Sequence, residues 1–389
     1  MTPKHGNIRV IVVDDSPTAR ELLVAILQIA EGIHVIGTGS TGQDALRLVR
    51  RMRPDVLLMD INMPLMDGLE ATEEIMAEVP TPIVLVTGTY MRDDLDLSFK
   101  AISLGALTVM AKPGLAAPEA CEALVDTVRS MANVPVVRRW SKKKAAASPS
   151  PPPVAPASAP ASQVIPPPPL RREELQRPYQ IVGIASSTGG PGALATILRQ
   201  LNADFPLPLL IVQHVTPGFA AGLAEWLNGE TALRVTLAEH GAKPQPGVVL
   251  IAPDGYHMQM NYRGYIELTK EPAYNGLRPS ANYMFHALAR IYGPRAVGVI
   301  LTGMGDDGAD GIKALHDAGG LTLAQDEQSC IVYGMPREAV IRNGVSAIMT
   351  LDSIAQALNQ LTSARGSPSA ARDAHHTVDA QPPGRGGNL

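Results

Sequence analysis

The chain has 389 residues, which is long for one average domain and favours two. Hydrophobic residues make up 45% of it and charged residues 18%, so we expect packed cores and exclude global disorder. The formal net charge of −4 argues against a protein that binds nucleic acid through bulk positive charge, and we expect no nucleic-acid partner. Two cysteines cannot form a zinc ribbon or a disulfide framework, which fits a reducing compartment.

Neither a signal-peptide pattern nor a run of 18 apolar residues is present in the sequence. We therefore expect a cytoplasmic protein without membrane insertion. Ten prolines fall between Pro149 and Pro169, a composition typical of an extended, solvated spacer. The sequence thus predicts a domain at 1–135, a flexible linker at 136–178, a second domain at 179–363 and a disordered tail at 364–389.

The first domain alternates short apolar runs with amphipathic stretches. Ile8–Val13 is almost entirely apolar, as a strand buried on both faces of a parallel sheet should be, and 56–59 and 83–86 repeat the pattern. Helical periodicity lies between these runs, at Ala19–Ile29 and Gly42–Arg51. The alternation predicts a doubly wound α/β domain, in which ligands bind at the carboxyl ends of the strands.

Polar side chains follow the strands of this first domain. They are Asp14, Asp15, Asp60, Thr87 and Lys112. Three carboxylates in one pocket repel each other unless a hard cation lies among them, and oxygen ligands with open positions suit Mg²⁺. A nearby ammonium and a hydroxyl would complete a site for the oxygens of a phosphoryl group. Each residue alone could be a helix cap or a surface charge, but the set at successive strand ends predicts a phosphoryl site.

The stretches VVDDS, LLMDINMPLMDG, LVTGT and MAKPG resemble the receiver domain of two-component response regulators, across residues 8 to about 130. The resemblance implies a flavodoxin-like fold and phosphorylation of Asp60. It also implies a Mg²⁺ site and two side chains that contact the phosphoryl oxygens. The implied metal ligands are Asp14, Asp15, Asp60 and the carbonyl of Asn62, and the implied phosphoryl contacts are Thr87 and Lys112. Receivers usually carry an aromatic switch residue three positions before the lysine, where this chain has Val109.

The second domain opens with a buried-strand pattern at 180–185, followed by the small residues Ser186–Gly192 and a helical pattern at Ala193–Leu201. Small residues allow a tight turn, and a helix N-terminus offers free N–H groups and a favourable dipole. The turn could therefore hold a capping serine, a phosphate-binding loop or a nucleophilic serine facing an oxyanion hole. The phosphate loop fits poorly, because the Walker lysine is missing and the glycines do not fall as GxGxxG.

Two further strand patterns end in residues that suit hydrolysis. Pro208–Val212 runs into Gln213 and His214, and Ala296–Leu301 runs into the loop that carries Asp306 and Asp307. A serine, a histidine and an aspartate that each follow a parallel strand can converge at one edge of the sheet. The histidine can take the serine proton while the aspartate orients the imidazole. Geometry rather than chain order defines such a triad, so the missing G-x-S-x-G elbow is no objection.

The stretches SSTGG, QHVTPGF, LTGMGDDGA and QDEQSCIVYGMP resemble the catalytic domain of the chemotaxis response regulator protein-glutamate methylesterases, the CheB family, over residues 180 to about 360. The resemblance implies a second, mainly parallel doubly wound α/β domain. It implies that Ser187 is the nucleophile, His214 the general base and Asp307 the triad acid. Asp306 fills a position that is often asparagine. The remaining histidines of the domain lack metal-ligand spacing, and we expect surface or satisfied core residues at 240, 257, 286 and 316.

The resemblance also implies the reaction and its partners. CheB-family enzymes hydrolyse γ-glutamyl methyl esters on the cytoplasmic helical domains of chemoreceptors, giving glutamate and methanol, and they can deamidate specific glutamines. The phosphodonor would be the chemotaxis histidine kinase, Mg²⁺ would serve the receiver alone, and we expect a monomer. Two alternatives stay open at this point. The second domain could act only by binding a partner, or the chain could be a nucleotide-binding regulator.

Overall fold

The computed structural model describes residues 7–88, 100–102, 104–114, 118–132, 134, 136 and 170–363. Within them the chain forms two α/β domains. Most of the predicted linker, at 137–169, and the predicted tail, at 364–389, lie outside the described residues, so the domain boundaries stay a prediction. Among the helices that are described, none is both long and apolar enough to cross a membrane.

The first domain has a five-stranded parallel sheet with helices between the strands. The strands are β1 (Ile8–Val13), β2 (Ile33–Gly39), β3 (Val56–Asp60), β4 (Ile83–Thr87) and β5 (Thr108–Ala111). Helices for which both ends are described are α1 (Pro17–Ile29), α2 (Gly42–Met52), α3 (Gly68–Glu78) and α4 (Pro118–Met131), and residues 100–102 are helical as well. The strand order β2-β1-β3-β4-β5 is that of flavodoxin-like domains and confirms the predicted fold class.

Helix caps fix the loops that leave the carboxyl ends of these strands. The side chain of Ser16 accepts a hydrogen bond from the amide of Ala19, which starts α1 directly after the first two aspartates. In the same way, the carboxylate of Asp67 accepts from the amide of Glu70 and starts α3, seven residues after β3 ends. Strands β3 and β4 are buried over their whole length. The loops that carry the acidic residues are therefore anchored at both ends.

The second domain has a seven-stranded parallel sheet. Its strands are β7 (Ile181–Ser186), β8 (Leu209–Gln213), β9 (Arg234–Leu237), β10 (Val248–Ile251), β13 (Ala296–Ile300), β14 (Leu321–Gln325) and β15 (Ala347–Met349). Its longer helices are α6 (Gly190–Gln200), α7 (Ala220–Glu230), α8 (Ala281–Ile291), α9 (Ala309–Asp317), α10 (Met335–Ile341) and α11 (Leu351–Asn359). An antiparallel hairpin, β11 (His257–Met260) with β12 (Ile266–Thr269), packs beside the sheet.

The order of this sheet places the predicted catalytic strands together. The sequence of strands is β15-β14-β13-β7-β8-β10-β9, so β7 lies between β13 and β8. All pairings in the sheet are parallel, and the carboxyl ends of these three neighbours open on one edge. The prediction of a mainly parallel α/β domain is confirmed, and the three strand ends that it singled out are adjacent.

Residues 170–178 were predicted to be flexible linker, and here the structure differs. They contain a one-turn helix, α5 (Arg172–Leu175), and they lead into β6 (Pro178–Tyr179), which pairs with β16 (Thr362–Ser363). The side chains of Leu175 and Tyr179 are buried, and the Tyr179 hydroxyl donates a hydrogen bond to the carbonyl of Glu174 at 2.6 Å. The buried side chain of Leu175 and the pairing of β6 with β16 join the stretch to the second domain, which the proline-based prediction did not consider.

Candidate active site and phosphoryl site

Ser187 and His214 occupy equivalent places on two neighbouring strands. Each follows its strand by one residue, and the last register pair of β7 and β8 is Ser186 with Gln213. The amide of His214 donates to the carbonyl of Ser186 at 3.0 Å. Because neighbouring strands lie ~4.8 Å apart, the parallel sheet itself sets the predicted nucleophile beside the predicted base.

His214 and Asp307 are directly hydrogen-bonded. The imidazole Nε2 lies 2.8 Å from the carboxylate Oδ2 of Asp307. The Asp307 side chain is 1% exposed and that of His214 is 12% exposed, so the pair is largely shielded from water. A carboxylate at Nε2 holds the proton on that nitrogen, because an anion accepts a hydrogen bond and cannot donate one. The lone pair of the neutral ring is then on Nδ1.

Asp307 is held by donors from the start of helix α8. Its Oδ1 accepts from the hydroxyl of Ser280 at 2.6 Å and from the side-chain amide of Asn282 at 3.1 Å, and its Oδ2 accepts from the amide of Ala281 at 2.6 Å. Burial acts to raise the pKa of Asp307, but the hydrogen bonds from His214, Ser280 and Ala281 outweigh burial and hold that pKa below its usual value. The positive end of the α8 dipole acts in the same direction. Asp307 is therefore an anion at neutral pH.

The partners of Asp307 at the start of α8 were not predicted. Ser280 and Asn282 lie more than 20 residues before Asp307 in the chain, and no motif in their surroundings resembles a catalytic signature. Their one local signal is that Ser280 is a good N-cap, and its side chain does accept from the amide of Asn282 at the start of α8. The carboxylate of Asp307 shares that helix start with Ser280.

The turn that carries Ser187 requires small residues. Gly189 caps helix α6 with a φ of 78°, a left-handed conformation that favours glycine. Gly303 packs directly on the turn, since a Cβ there would lie 2.8 Å from the Cβ of Ser187 and 2.3 Å from the sulfur of Met335. The amide of Ser187 donates to the carbonyl of Thr302 at 3.0 Å. Among the described residues no hydrogen bond joins the Ser187 hydroxyl to His214.

The acidic residues of the first domain converge around one lysine. The Nζ of Lys112 lies 2.8 Å from Oδ2 of Asp14 and 3.1 Å from Oδ1 of Asp60. Asp14, Asp15 and Asp60 each offer an oxygen, and these atoms lie within 4.8 Å of one another. Burial raises the pKa of Asp60 to about 6, with Lys112 opposing the shift and Asp14 adding to it. The oxygen donors fit a hard cation such as Mg²⁺.

The two other residues predicted for this site lie at its rim. Thr87 ends β4 and is buried, with 2% of its surface exposed, one strand away from Asp60. Asn62 is exposed and follows Asp60 by two residues. Their roles toward a metal ion or a phosphoryl group stay predictions.

The comparisons with known proteins match both domains. The family model for the response regulator receiver domain matches residues 10–124, and the model for CheB methylesterase matches residues 182–358. The protein-glutamate methylesterase/protein-glutamine glutaminase 1 of Syntrophus aciditrophicus (strain SB) is 41% identical over 91% of this chain and 98% of its own length. The chain belongs to the CheB methylesterase family. A second CheB-family relative, protein-glutamate methylesterase/protein-glutamine glutaminase 4 of Myxococcus xanthus (strain DK1622), is 45% identical over 94% of this chain and 99% of its own length.

One solved CheB structure is also similar. The crystal structure of the Thermotoga maritima CheB methylesterase catalytic domain is 35% identical, covers 47% of this chain and 98% of that one, and gives a TM-score of 0.46.

In this CheB-family chain the receiver packs against the second domain next to the Ser187 turn. Ile102 of the receiver is 7% exposed and belongs to the hydrophobic core of the second domain, and a Cβ on Gly192 would lie 3.7 Å from its Cγ2. The hydroxyl of Ser130 lies 2.8 Å from the sulfur of Met304. A cavity of about 180 Å³ between the two domains is lined by Ile102 and Leu107 on one side and by residues of α6 on the other. The contact therefore covers one flank of the predicted active site.

The other histidines of the second domain are surface or satisfied residues, as predicted. His257 is buried, and its Nδ1 accepts from the amide of Ser280 at 3.2 Å while its Nε2 donates to the carbonyl of Pro272 at 3.1 Å. His316 is hydrogen-bonded to the hydroxyl of Thr322 at 3.1 Å. The two remaining ones, His240 and His286, are exposed.

Proposed function

We propose that this chain is a phosphorylation-activated protein-glutamate methylesterase that also deamidates glutamines. Its substrates would be the cytoplasmic helical domains of chemoreceptors, and its phosphodonor the chemotaxis histidine kinase. The observation that carries the proposal is the buried hydrogen bond between His214 and Asp307 at the strand end next to Ser187. The names of the two curated relatives describe the same pair of activities.

The first half of the reaction forms an acyl-enzyme. The Ser187 hydroxyl turns toward the imidazole, and Nδ1 of His214 takes its proton as the serine oxygen attacks the ester carbonyl of a glutamyl side chain. Asp307 stabilises the imidazolium that forms, because its carboxylate remains charged at neutral pH. Helix α6 begins three residues after Ser187, and its positive end favours the oxyanion of the tetrahedral intermediate. Collapse of the intermediate releases methanol, which takes the proton from His214.

The second half of the reaction regenerates the serine. Water gives a proton to His214 and attacks the acyl-enzyme, and the glutamate carboxylate leaves as Ser187 recovers its proton. A glutamine side chain passes through the same kind of tetrahedral intermediate, with ammonia leaving in place of methanol. One site can therefore carry out both reactions, and neither step draws on a metal ion.

The receiver would control this chemistry through Asp60. The carboxylate of Asp60 attacks the phosphorus of the phosphodonor and becomes an acyl phosphate, while the bond from phosphorus to the donor breaks and the kinase histidine, or acetate from acetyl phosphate, leaves. Asp14, Asp15, Asp60 and the carbonyl of Asn62 would hold Mg²⁺, which neutralises phosphoryl charge when bound. Lys112 already contacts Asp60, and Thr87 ends the neighbouring strand, so both suit the role of contacting the phosphoryl oxygens.

Contacts between the domains support inhibition by the unphosphorylated receiver. Ile102 lies against Gly192 of α6, and Ser130 contacts Met304, the residue after the Gly303 that packs on the Ser187 turn. Val109 packs against the hydrophobic cores of both domains. It stands at the position where receivers usually carry the aromatic switch residue. A bulky receptor helix would have to displace this contact, whereas a small ester would not. Phosphorylation would then act by weakening the docked arrangement.

Methanol release from methylated receptor tests the proposal. The full chain should release methanol, and acetyl phosphate with Mg²⁺ should raise the rate. Replacing Ser187 with Ala should lower kcat by several orders of magnitude, on the order of the ~10⁶ seen when such a nucleophile is lost. Ser186→Ala is the matched variant one residue away, and it should lose no more than about tenfold because its hydroxyl does not attack the ester. If Ser187→Ala kept most of its activity, or if the two variants lost activity equally, the proposed nucleophile would be wrong.

A further inference from the structure

Gln213 uses its side-chain amide to link the two predicted catalytic residues. It is the last residue of β8 and is 2% exposed. Its Nε2 donates to the carbonyl of Ser187 at 2.8 Å and to the carbonyl of His214 at 2.8 Å. Its Oε1 accepts from the hydroxyl of Ser186 at 2.6 Å. One buried amide group thus holds the backbone of both the nucleophile and the base.

The position of this amide follows from the strand register. Ser186 and Gln213 are register partners at the end of the β7–β8 ladder, so their side chains lie on the same face of the sheet. The backbone ladder ends with the bond from the amide of His214 to the carbonyl of Ser186. Beyond that point the side-chain amide of Gln213 supplies the link between the segments that follow the two strands. Ser187 and His214 therefore stay in register one residue past the end of the sheet.

Gly190 leaves the space that the amide needs. A Cβ at Gly190 would lie 1.9 Å from Oε1 of Gln213 and 2.8 Å from the Cβ of Ser186. Glycine at the first residue of α6 is thus required by the Gln213 amide as well as by the tightness of the turn. The serine, the glutamine and the glycine form one packed unit beneath the reacting groups.

We propose that Gln213 is a positioning residue that fixes the distance between Ser187 and His214 for proton transfer. The proposal rests on the proposed function, since it assigns Gln213 a role only if these two residues are the nucleophile and the base. Misplacement of reacting groups by about 1 Å can cost about 10²-fold in rate. Because both contacts are to backbone carbonyls behind the site, Gln213 should affect turnover far more than it affects receptor binding.

The test is a kinetic comparison in the full chain with saturating acetyl phosphate and Mg²⁺. Gln213→Met keeps the size of the side chain and removes all three hydrogen bonds. We expect its kcat to fall roughly 10- to 100-fold while KM changes less than about twofold. Labelling by a serine-directed fluorophosphonate, which reports the reactivity of Ser187 without receptor, should slow by a similar factor. Gln213→Leu also removes all three hydrogen bonds without placing a charge against the two carbonyls, so it should show the same loss and serves if the Met variant does not fold.

Thr322→Val is the matched control for a purely structural effect. Thr322 is fully buried at the opposite end of the same sheet, and its hydroxyl bonds to His316 and to the amide of Ser346. This variant should lower the thermal midpoint without changing kcat or the labelling rate. If the Gln213 variants lost stability as Thr322→Val does but kept kcat within about twofold, the positioning role would be wrong. The proposed function would still stand in that case, provided that Ser187→Ala is inactive. Retained activity in Ser187→Ala would instead overturn the proposed function, and the role of Gln213 with it.

Discussion

Asp60 and Asp307 are both buried aspartates at the carboxyl ends of parallel strands, yet their surroundings shift their pKa values in opposite directions. Asp60 has another carboxylate beside it and a single ammonium, and burial raises its pKa to about 6. Asp307 receives hydrogen bonds from His214, from two side chains and from a backbone amide, and its pKa is lowered in spite of deeper burial. The number of donors, rather than the depth of burial, separates the two.

This difference indicates what each carboxylate is built to do. A carboxylate with few hydrogen-bond donors around it is stabilised when a cation, or a phosphoryl group with bound Mg²⁺, binds beside it. The proposed role of Asp60 requires this. A carboxylate whose oxygens are already filled has no capacity for a new ligand and can only hold its neighbour in place, as the proposed role of Asp307 requires. One fold thus supports a reactive aspartate and an orienting aspartate.

Between these two aspartates, the larger expected effect comes from removing the charge of Asp307. Asp307→Asn should lower kcat by about 10⁴-fold, because an amide at this position favours the wrong imidazole tautomer. Phosphorylation of Asp60 in the same variant, followed with acetyl phosphate, should be unchanged. Asp306→Asn is the matched control next to it. Its carboxylate pairs with Arg342 at the surface, a contact worth about 0–1 kcal/mol, and kcat should stay close to that of the wild type. Equal losses in the two variants would contradict the assignment of Asp307.

The reciprocal change at Asp60 should remove regulation and leave the basal reaction intact. Asp60→Ala should keep the basal rate of methanol release from receptor whatever phosphodonor is supplied. The wild-type chain should respond by about tenfold, which corresponds to a shift of only ~1.4 kcal/mol in the docking of the two domains. Rates are measured side by side with and without acetyl phosphate. A variant that still responded would place the phosphoryl acceptor elsewhere.

The sequence was sufficient for the strands and for the residues that end them. Buried parallel strands are continuous apolar runs, and the residues that follow each run must lie at the ligand-binding edge, which is why Asp60, Ser187 and His214 could be placed there. The choice of Ser187 over the neighbouring Ser186 came from the family resemblance. The donors to Asp307 could not, because Ser280 comes from a helix start that only the tertiary fold brings to the site. Gln213 stood in a motif, but the direction of its side chain depends on the register with Ser186, which no local pattern gives.

The docking of the two domains was also beyond local patterns. In the sequence Ile102 looks like any apolar residue of the receiver core. Only the folded chain shows that it packs into the core of the second domain. The stretch around Leu175 shows the reverse error, since proximity to a proline-rich segment concealed a residue that is buried in the second domain. In both cases the information lies in contacts between distant parts of the chain.

A smaller effect is expected from loosening the contact between the domains. Ile102→Ser removes apolar surface that the receiver buries against α6, so the unphosphorylated chain should demethylate receptor a few-fold faster, with a reduced response to acetyl phosphate. Ile29→Ser, at a receiver residue that is 87% exposed, is the matched control and should behave as the wild type. If Ile102→Ser had an unchanged basal rate and an unchanged response, the docked receiver would not be the source of inhibition.

The smallest expected effect is a change in the pH dependence of stability at His257, which packs beneath the Asp307 pocket. Burial lowers the pKa of His257, Arg278 adds to this, and Glu271, Asp307 and the bond to the Pro272 carbonyl oppose it. The folded chain therefore binds a proton less readily than the unfolded chain, so His257 costs stability as the pH falls below about 6.5, the ordinary histidine value. Protonation would also turn Nδ1 from acceptor to donor and break its bond to the Ser280 amide, which starts the helix that holds Asp307.

His257→Gln cannot titrate, so its thermal midpoint should fall less between pH 7 and pH 5 than that of the wild type, while the two curves run parallel above pH 7.5. Curves that stayed parallel down to pH 5 would show that His257 takes up its proton in the folded chain without cost.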